Sequence, residues 1–114
     1  MAKNVTAGTA NLSKKDLYFL TSAPTVQKMS EHEGERIDVA KWCVYEDEKE
    51  DGSSLTITAI LTPEGEAFAT NSATFRRSFL DVANIFDEGN GFAITVTGGE
   101  SKTGRHYIDC VYTD

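Results

Sequence analysis

Two hydrophobic periods alternate along this chain, and the points where one gives way to the other mark its elements. Glu35–Glu46 (ERIDVAKWCVYE) is rich in β-branched and aromatic residues and reads as a strand. Its alternation changes phase: Ile37 and Val39 share one parity, Trp42 and Val44 the other. A bulge near Ala40–Lys41 would put all four inside by bending the strand. Asp47–Ser53 reads as an acidic hairpin loop. Ser54–Leu61 follows as a cleaner strand, with Leu55, Ile57, Ala59 and Leu61 on one face. Thr62-Pro63-Glu64-Gly65 has proline and glycine where a turn uses them. Glu66–Thr70 is a short third strand.

At Asn71–Ser72 the period lengthens. Both residues suit a helix N-cap, because a side-chain oxygen can accept an otherwise unpaired amide hydrogen bond. Phe75, Phe79, Val82 and Phe86 then recur at intervals of four, three and four, which predicts a helix over Ser72–Phe86 lying on a core. After the break Asp87–Gly91, Phe92, Ile94 and Val96 alternate in a fourth strand. Gly98–Gly104 reads as a flexible loop, and Arg105–Tyr112 as a fifth strand in which Arg105, Tyr107 and Val111 share a parity.

The N-terminal part has less periodicity. Residues 1–12 read as a flexible arm. Ser13-Lys14-Lys15-Asp16 has capping-box spacing ahead of Leu17–Leu20 and predicts a short helix, and Val26–Met29 reads as a further helical turn. His32-Glu33-Gly34-Glu35 is not a zinc-protease motif, because Arg36 stands where the second histidine is needed. The order is β-β-β-α-β-β behind a short N-terminal helix. That mainly β order predicts a five-stranded OB-fold barrel with one helix between strands 3 and 4, although other small α+β sheets share it. A chain of 114 residues suits one domain spanning 1–114.

Charge sharpens this picture. The net charge is −7, which argues against a generic polyanion binder. Residues 46–71 carry −6 of it, mostly in Glu46-Asp47-Glu48-Lys49-Glu50-Asp51, whereas residues 1–28 come to +3. A basic face elsewhere is therefore compatible with an acidic whole. No run has the length of a membrane span and the first residues lack a secretory apolar segment, so a soluble, cytoplasmic protein is expected. Cys43 and Cys110 lie in apolar strands without a CxxC and are expected to be buried free thiols.

Catalytic motifs are missing: there is no GxSxG, no P-loop and no His/Cys/Asp set with ligand spacing. No enzyme activity, metal or cofactor is expected. What the chain offers is aromatic and cationic: Lys41, Trp42, Tyr45, Phe68, Arg76, Arg77, Lys102, Arg105, His106 and Tyr107. Single-stranded nucleic acid needs flat rings for its bases and cations for its phosphates. Each residue has a plainer role open to it. Trp42 suits the core of the longest strand, Tyr45 and Tyr107 fit either a stacking face or barrel lining, and Arg76 and Arg77 could simply solubilise a helix.

The segment Phe68–Phe79 (FATNSATFRRSF) resembles part of the small phage-type single-stranded DNA-binding proteins, as does Gly99–Tyr107 (GESKTGRHY) further on; Leu17–Leu20 (LYFL) is similar too. The resemblance implies an OB-fold protein that coats single-stranded DNA during phage or prophage replication without reading sequence. Its partners would be single-stranded DNA and replication proteins in the bacterial host cytoplasm. By position, Arg76, Arg77, Lys102, Arg105 and Tyr107 would carry over as contacts. The acidic loop Glu46–Asp51 departs from that pattern, because it occupies the place of a loop that contacts ligand in many OB folds. It keeps a second reading open, an acidic interaction module or nucleic-acid mimic that binds a basic protein.

Overall fold

A computed structural model describes residues 3–114. Its elements are β1 (Lys3–Gly8), α1 (Lys14–Thr21), β2 (Gln27–Lys28), a 3₁₀ turn (Met29–Glu31), β3 (Arg36–Val39), β4 (Lys41–Glu48), β5 (Ser54–Leu61), β6 (Ala67–Thr70), α2 (Ala73–Phe86), β7 (Phe92–Glu100) and β8 (His106–Thr113). They form two sheets, one ordered β1-β4-β5-β6-β2 and one ordered β3-β7-β8.

β3 and β4 are the two halves of the long strand expected from the sequence, broken at Ala40. The break shifts the phase by one residue, so Ile37, Val39, Trp42 and Val44 all enter the main core. The Ala40 amide is not lost at the bend; it donates to Leu61 O at 2.9 Å. β3 pairs with β7 (Ile37 opposite Ile94) and β4 with β5 (Trp42 opposite Ile60), so one segment belongs to both sheets.

α2 packs into the core between these sheets. Ser72 caps it by accepting from the Phe75 amide at 3.1 Å, and Phe75 and Phe79 are fully buried. Val82 packs at the margin of the core, and Phe86 stacks on Tyr112 with ring centroids 3.7 Å apart. The closed barrel anticipated from the element order does not form. β6 and β8 share no ladder among the described residues, and the Ser72 hydroxyl instead donates to Ile108 O at 3.1 Å.

Both faces of β4 are covered, which alternation alone does not reveal. Its second face puts Cys43 and Tyr45 under α1, in a smaller cluster with Leu20 and Ala59. α1 begins with the expected capping box, Ser13 and Asp16 bonding each other's amides at 3.0 Å. Burial pushes the Cys43 thiol up to about 11 and the Cys110 thiol to about 12, so both stay protonated at neutral pH.

Three expectations need correction. Residues 3–8 of the presumed flexible arm form an edge strand on β4; residues 1 and 2 lie outside the described part. An edge strand is held by backbone hydrogen bonds, so its exposed side chains leave little periodicity to read. Val26–Met29 is not a helical turn. Gln27 and Lys28 add a parallel rung to β6, and Met29 drops fully buried into the core. Gly98 and Gly99 belong to β7, not to the following loop. No helix of the described residues is long and apolar enough to cross a membrane.

Candidate nucleic-acid interface

The β7–β8 hairpin ends in a five-residue turn, Ser101–Arg105. The Ser101 amide donates to Arg105 O at 2.9 Å and the Gly104 amide to Ser101 O at 2.9 Å. Gly104 has φ +81°, a left-handed conformation that glycine adopts without a steric penalty. This tight turn exposes Lys102 and Arg105 at its two ends, and neither has a carboxylate within ion-pair distance among the described residues.

Tyr107 is two residues further along, on the outer face of the three-stranded sheet, and stays 38% exposed. It does not line a barrel. Its ring lies over Gly99, its cross-strand partner: a Cβ there would come to 2.7 Å of the hydroxyl and 2.8 Å of Cζ. Arg105 makes no ion pair with Asp109. Neither Gly98 nor Gly99 therefore presents open backbone. Gly99 is the seat of the Tyr107 ring, and Gly98 is covered by Glu33 and His106.

Arg76 and Arg77 lie on the first turn and a half of α2, Arg77 exposed and Arg76 half-buried, again without carboxylate partners. The Ser72–Ile108 hydrogen bond ties the start of this helix to β8 at the residue after Tyr107. Five of the residues singled out from the sequence, Arg76, Arg77, Lys102, Arg105 and Tyr107, thus sit on two elements joined at that point.

His106 opens β8 beside them, whereas Lys41, Trp42, Tyr45 and Phe68 do not join them. Trp42 is buried, donates its indole N–H to Asp87 Oδ2 at 2.9 Å and meets Phe79 edge-on at 5.3 Å. Tyr45 is buried under α1, and burial with the nearby Asp47 charge pushes its phenol up to about 12. Phe68 is buried in the main core, its ring edge against His32 at 4.8 Å. These three rings have no open face for a base. Lys41 is drawn away to α1, where its ammonium bonds Asp16 Oδ2 at 2.6 Å.

A groove of about 280 Å³ escaped the sequence reading. It lies beside β5, β6 and β2 and is lined by Lys28, Ser30, Leu55, Ile57, Ala69, Thr70 and Asn71. Lys28 falls in the stretch read as helix, and Leu55 on the apolar face read for Ser54–Leu61, where it stays 39% exposed. α1 covers only part of that face, reaching Ile57, Leu61 and Ala69. Charged residues flanking the Leu55 end of β5 were the available signal. Asn71 connects the groove directly to Ser72 and the start of α2.

No protein-family model, curated protein or solved structure matches the chain.

Proposed function

We propose that this protein binds single-stranded DNA without reading sequence, as an OB-type domain that coats strands during phage or prophage replication. One observation carries the reading. Arg76 and Arg77 at the α2 start and Lys102 and Arg105 in the β7–β8 turn make no ion pair among the described residues, the Ser72–Ile108 hydrogen bond joins the two elements, and Tyr107 on β8 keeps an exposed ring. Unpaired cations with an open aromatic ring match what a phosphodiester strand needs, because counterion release drives affinity and stacking tolerates any base.

The strand order supports the OB assignment. With residues 36–48 taken as one bent strand, the ladders run β6-β5-β4/β3-β7-β8. This is the order of a partly open five-stranded Greek-key barrel with its last pairing left unmade. Ligands of such barrels lie on the face of the second and third strands, here β5 and β6, where the Lys28–Asn71 groove opens.

The test is fluorescence anisotropy with oligo-dT across a salt series. Three or four phosphate contacts predict a log–log slope of about −2 to −3 on single strands. Duplex binding as tight as single-strand binding, or no binding to either at low salt, would overturn the proposal. The acidic β4–β5 hairpin then favours the second reading, a module that binds a basic protein partner.

A further inference from the structure

The turn carrying Lys102 and Arg105 is tied down at its base. Glu100 and His106 are the last paired residues of β7 and β8. His106 Nε2 bonds Glu33 Oε1 at 2.8 Å across the surface. A neutral imidazole N–H can donate to the carboxylate, so the contact does not require a charged histidine.

Glu33 reaches His106 from a fixed support. The Gly34 amide donates to Val96 O at 2.7 Å, and the Val96 amide donates to Glu35 O at 3.0 Å, which stitches residues 34 and 35 to β7. His32 bonds Glu35 Oε2 at 2.9 Å and rests on the edge of Phe68. The Glu33 carboxylate then lies across Gly98. A Cβ at that position would collide with Glu33 Oε1 and approach His106 Cε1 to 3.1 Å.

We infer that the Glu33–His106 contact, seated on Gly98, is a latch that holds the β7–β8 turn where Lys102 and Arg105 meet the strand's phosphates. Glu33 and His106 are positioning residues, and the inference about phosphates rests on the single-strand reading above. An exposed pair of this kind adds little to global stability. Its effect is local, on how often the turn opens.

The experiment is amide hydrogen exchange on the free protein, read at Ser101 and Gly104, paired with oligo-dT anisotropy. Glu33→Ala removes the carboxylate; Gly98→Ala displaces it without removing any charge. Both are expected to speed exchange at these two amides about three- to ten-fold, the range of one ordinary hydrogen bond. Both should leave the melting temperature unchanged and weaken oligo-dT binding by a similar factor, with the salt slope preserved. Glu33→Gln, which keeps an acceptor, should restore both. Unchanged exchange in Glu33→Ala and Gly98→Ala overturns the latch. Faster exchange with tighter binding also overturns the positioning role, because Glu33 would then act as a repelling charge. If wild-type protein binds no oligo-dT at low salt, the single-strand reading falls, while exchange still decides whether the latch exists.

Discussion

Three hairpin turns of this protein share one backbone, Thr62–Glu66 between β5 and β6 among them, and the β4–β5 and β7–β8 turns carry opposite charge on it. In the β4–β5 turn the Lys49 amide donates to Ser53 O at 2.7 Å and the Gly52 amide to Lys49 O at 3.1 Å. The β7–β8 turn repeats both bonds at Ser101 and Gly104, and the two glycines have φ +86° and +81°. Yet one turn lies among Glu46, Asp47, Glu48, Glu50 and Asp51, and the other presents Lys102 and Arg105. Lys49, the cation of the first turn, faces Asp47 at 3.6 Å, and Asp51 is occupied by Ser53, whose amide and hydroxyl it accepts. Glycine at the fourth position dictates the shape, leaving charge free to vary. Charge, not the fold of the turn, is what distinguishes the two under the proposed function.

The comparison presumes that one core holds both hairpins, and the largest predicted effect tests this. Phe79 touches Phe75, Trp42 and Phe92 and is fully buried. Phe79→Ala should cost about 3–5 kcal/mol in a denaturant titration. A loss below about 1 kcal/mol would mean that the helix face is not core.

Charge exchange is the more direct way to break it. Lys102→Glu with Arg105→Glu makes the second turn resemble the first. The oligo-dT salt slope should become shallower by about 1.4, two contacts at about 0.7 each. Glu48→Lys with Glu50→Lys is the reciprocal change, chosen to spare the Asp51–Ser53 bonds, and should alter affinity far less. Equal and opposite effects would show that the strand senses only net charge and that the turns are not distinguished by position.

Tyr107→Ala sharpens the comparison further, since the acidic hairpin has no exposed ring at the matching place. The variant should lose about 1–3 kcal/mol of binding at a nearly unchanged slope and keep its melting temperature. A lowered melting temperature with unchanged affinity would make the ring a cover for Gly99 and nothing more.

The smallest effect concerns a cation that is paired. Hydrogen bonds from Lys41 and then from the Ser13 amide hold the Asp16 carboxyl down at about 2, against 3.8 ordinarily. A lowered carboxylate contributes stability above its unfolded value and loses it as pH falls through the folded one. Melting temperature should therefore drop between about pH 4 and pH 2 more steeply in the wild type than in Asp16→Asn. Parallel curves would show that the clamp adds nothing.

Much of this architecture was legible because each signal was local. The Ser72 cap, the four-three-four spacing of phenylalanines and valine, and the phase change at Ala40 each depend on neighbours in sequence. What was missed depends on distant partners. Trp42, Tyr45 and Phe68 have the right chemistry for stacking, but their burial is decided by Phe79, α1 and the sheet packed over them. β1 is visible only once β4 is there to pair with it, and β2 only against β6. Gly98 and Gly99 look like a loop until Glu33 and Tyr107 are laid over them.

The strand broken at Ala40 also sets an order of assembly. Its second half meets β5 through the short acidic turn, a contact between near neighbours that closes quickly. Its first half must wait for β7, with Ile37 opposite Ile94, and so for a far larger loop to close. During synthesis the β4–β5–β6 meander can form as soon as it leaves the ribosome. The smaller sheet, and with it the hairpin that bears Lys102 and Arg105, has no partner strand of its own until the second half of the chain arrives. The acidic hairpin is thus expected to fold first and the basic turn last, so that Lys102 and Arg105 are held in place only once the core is closed.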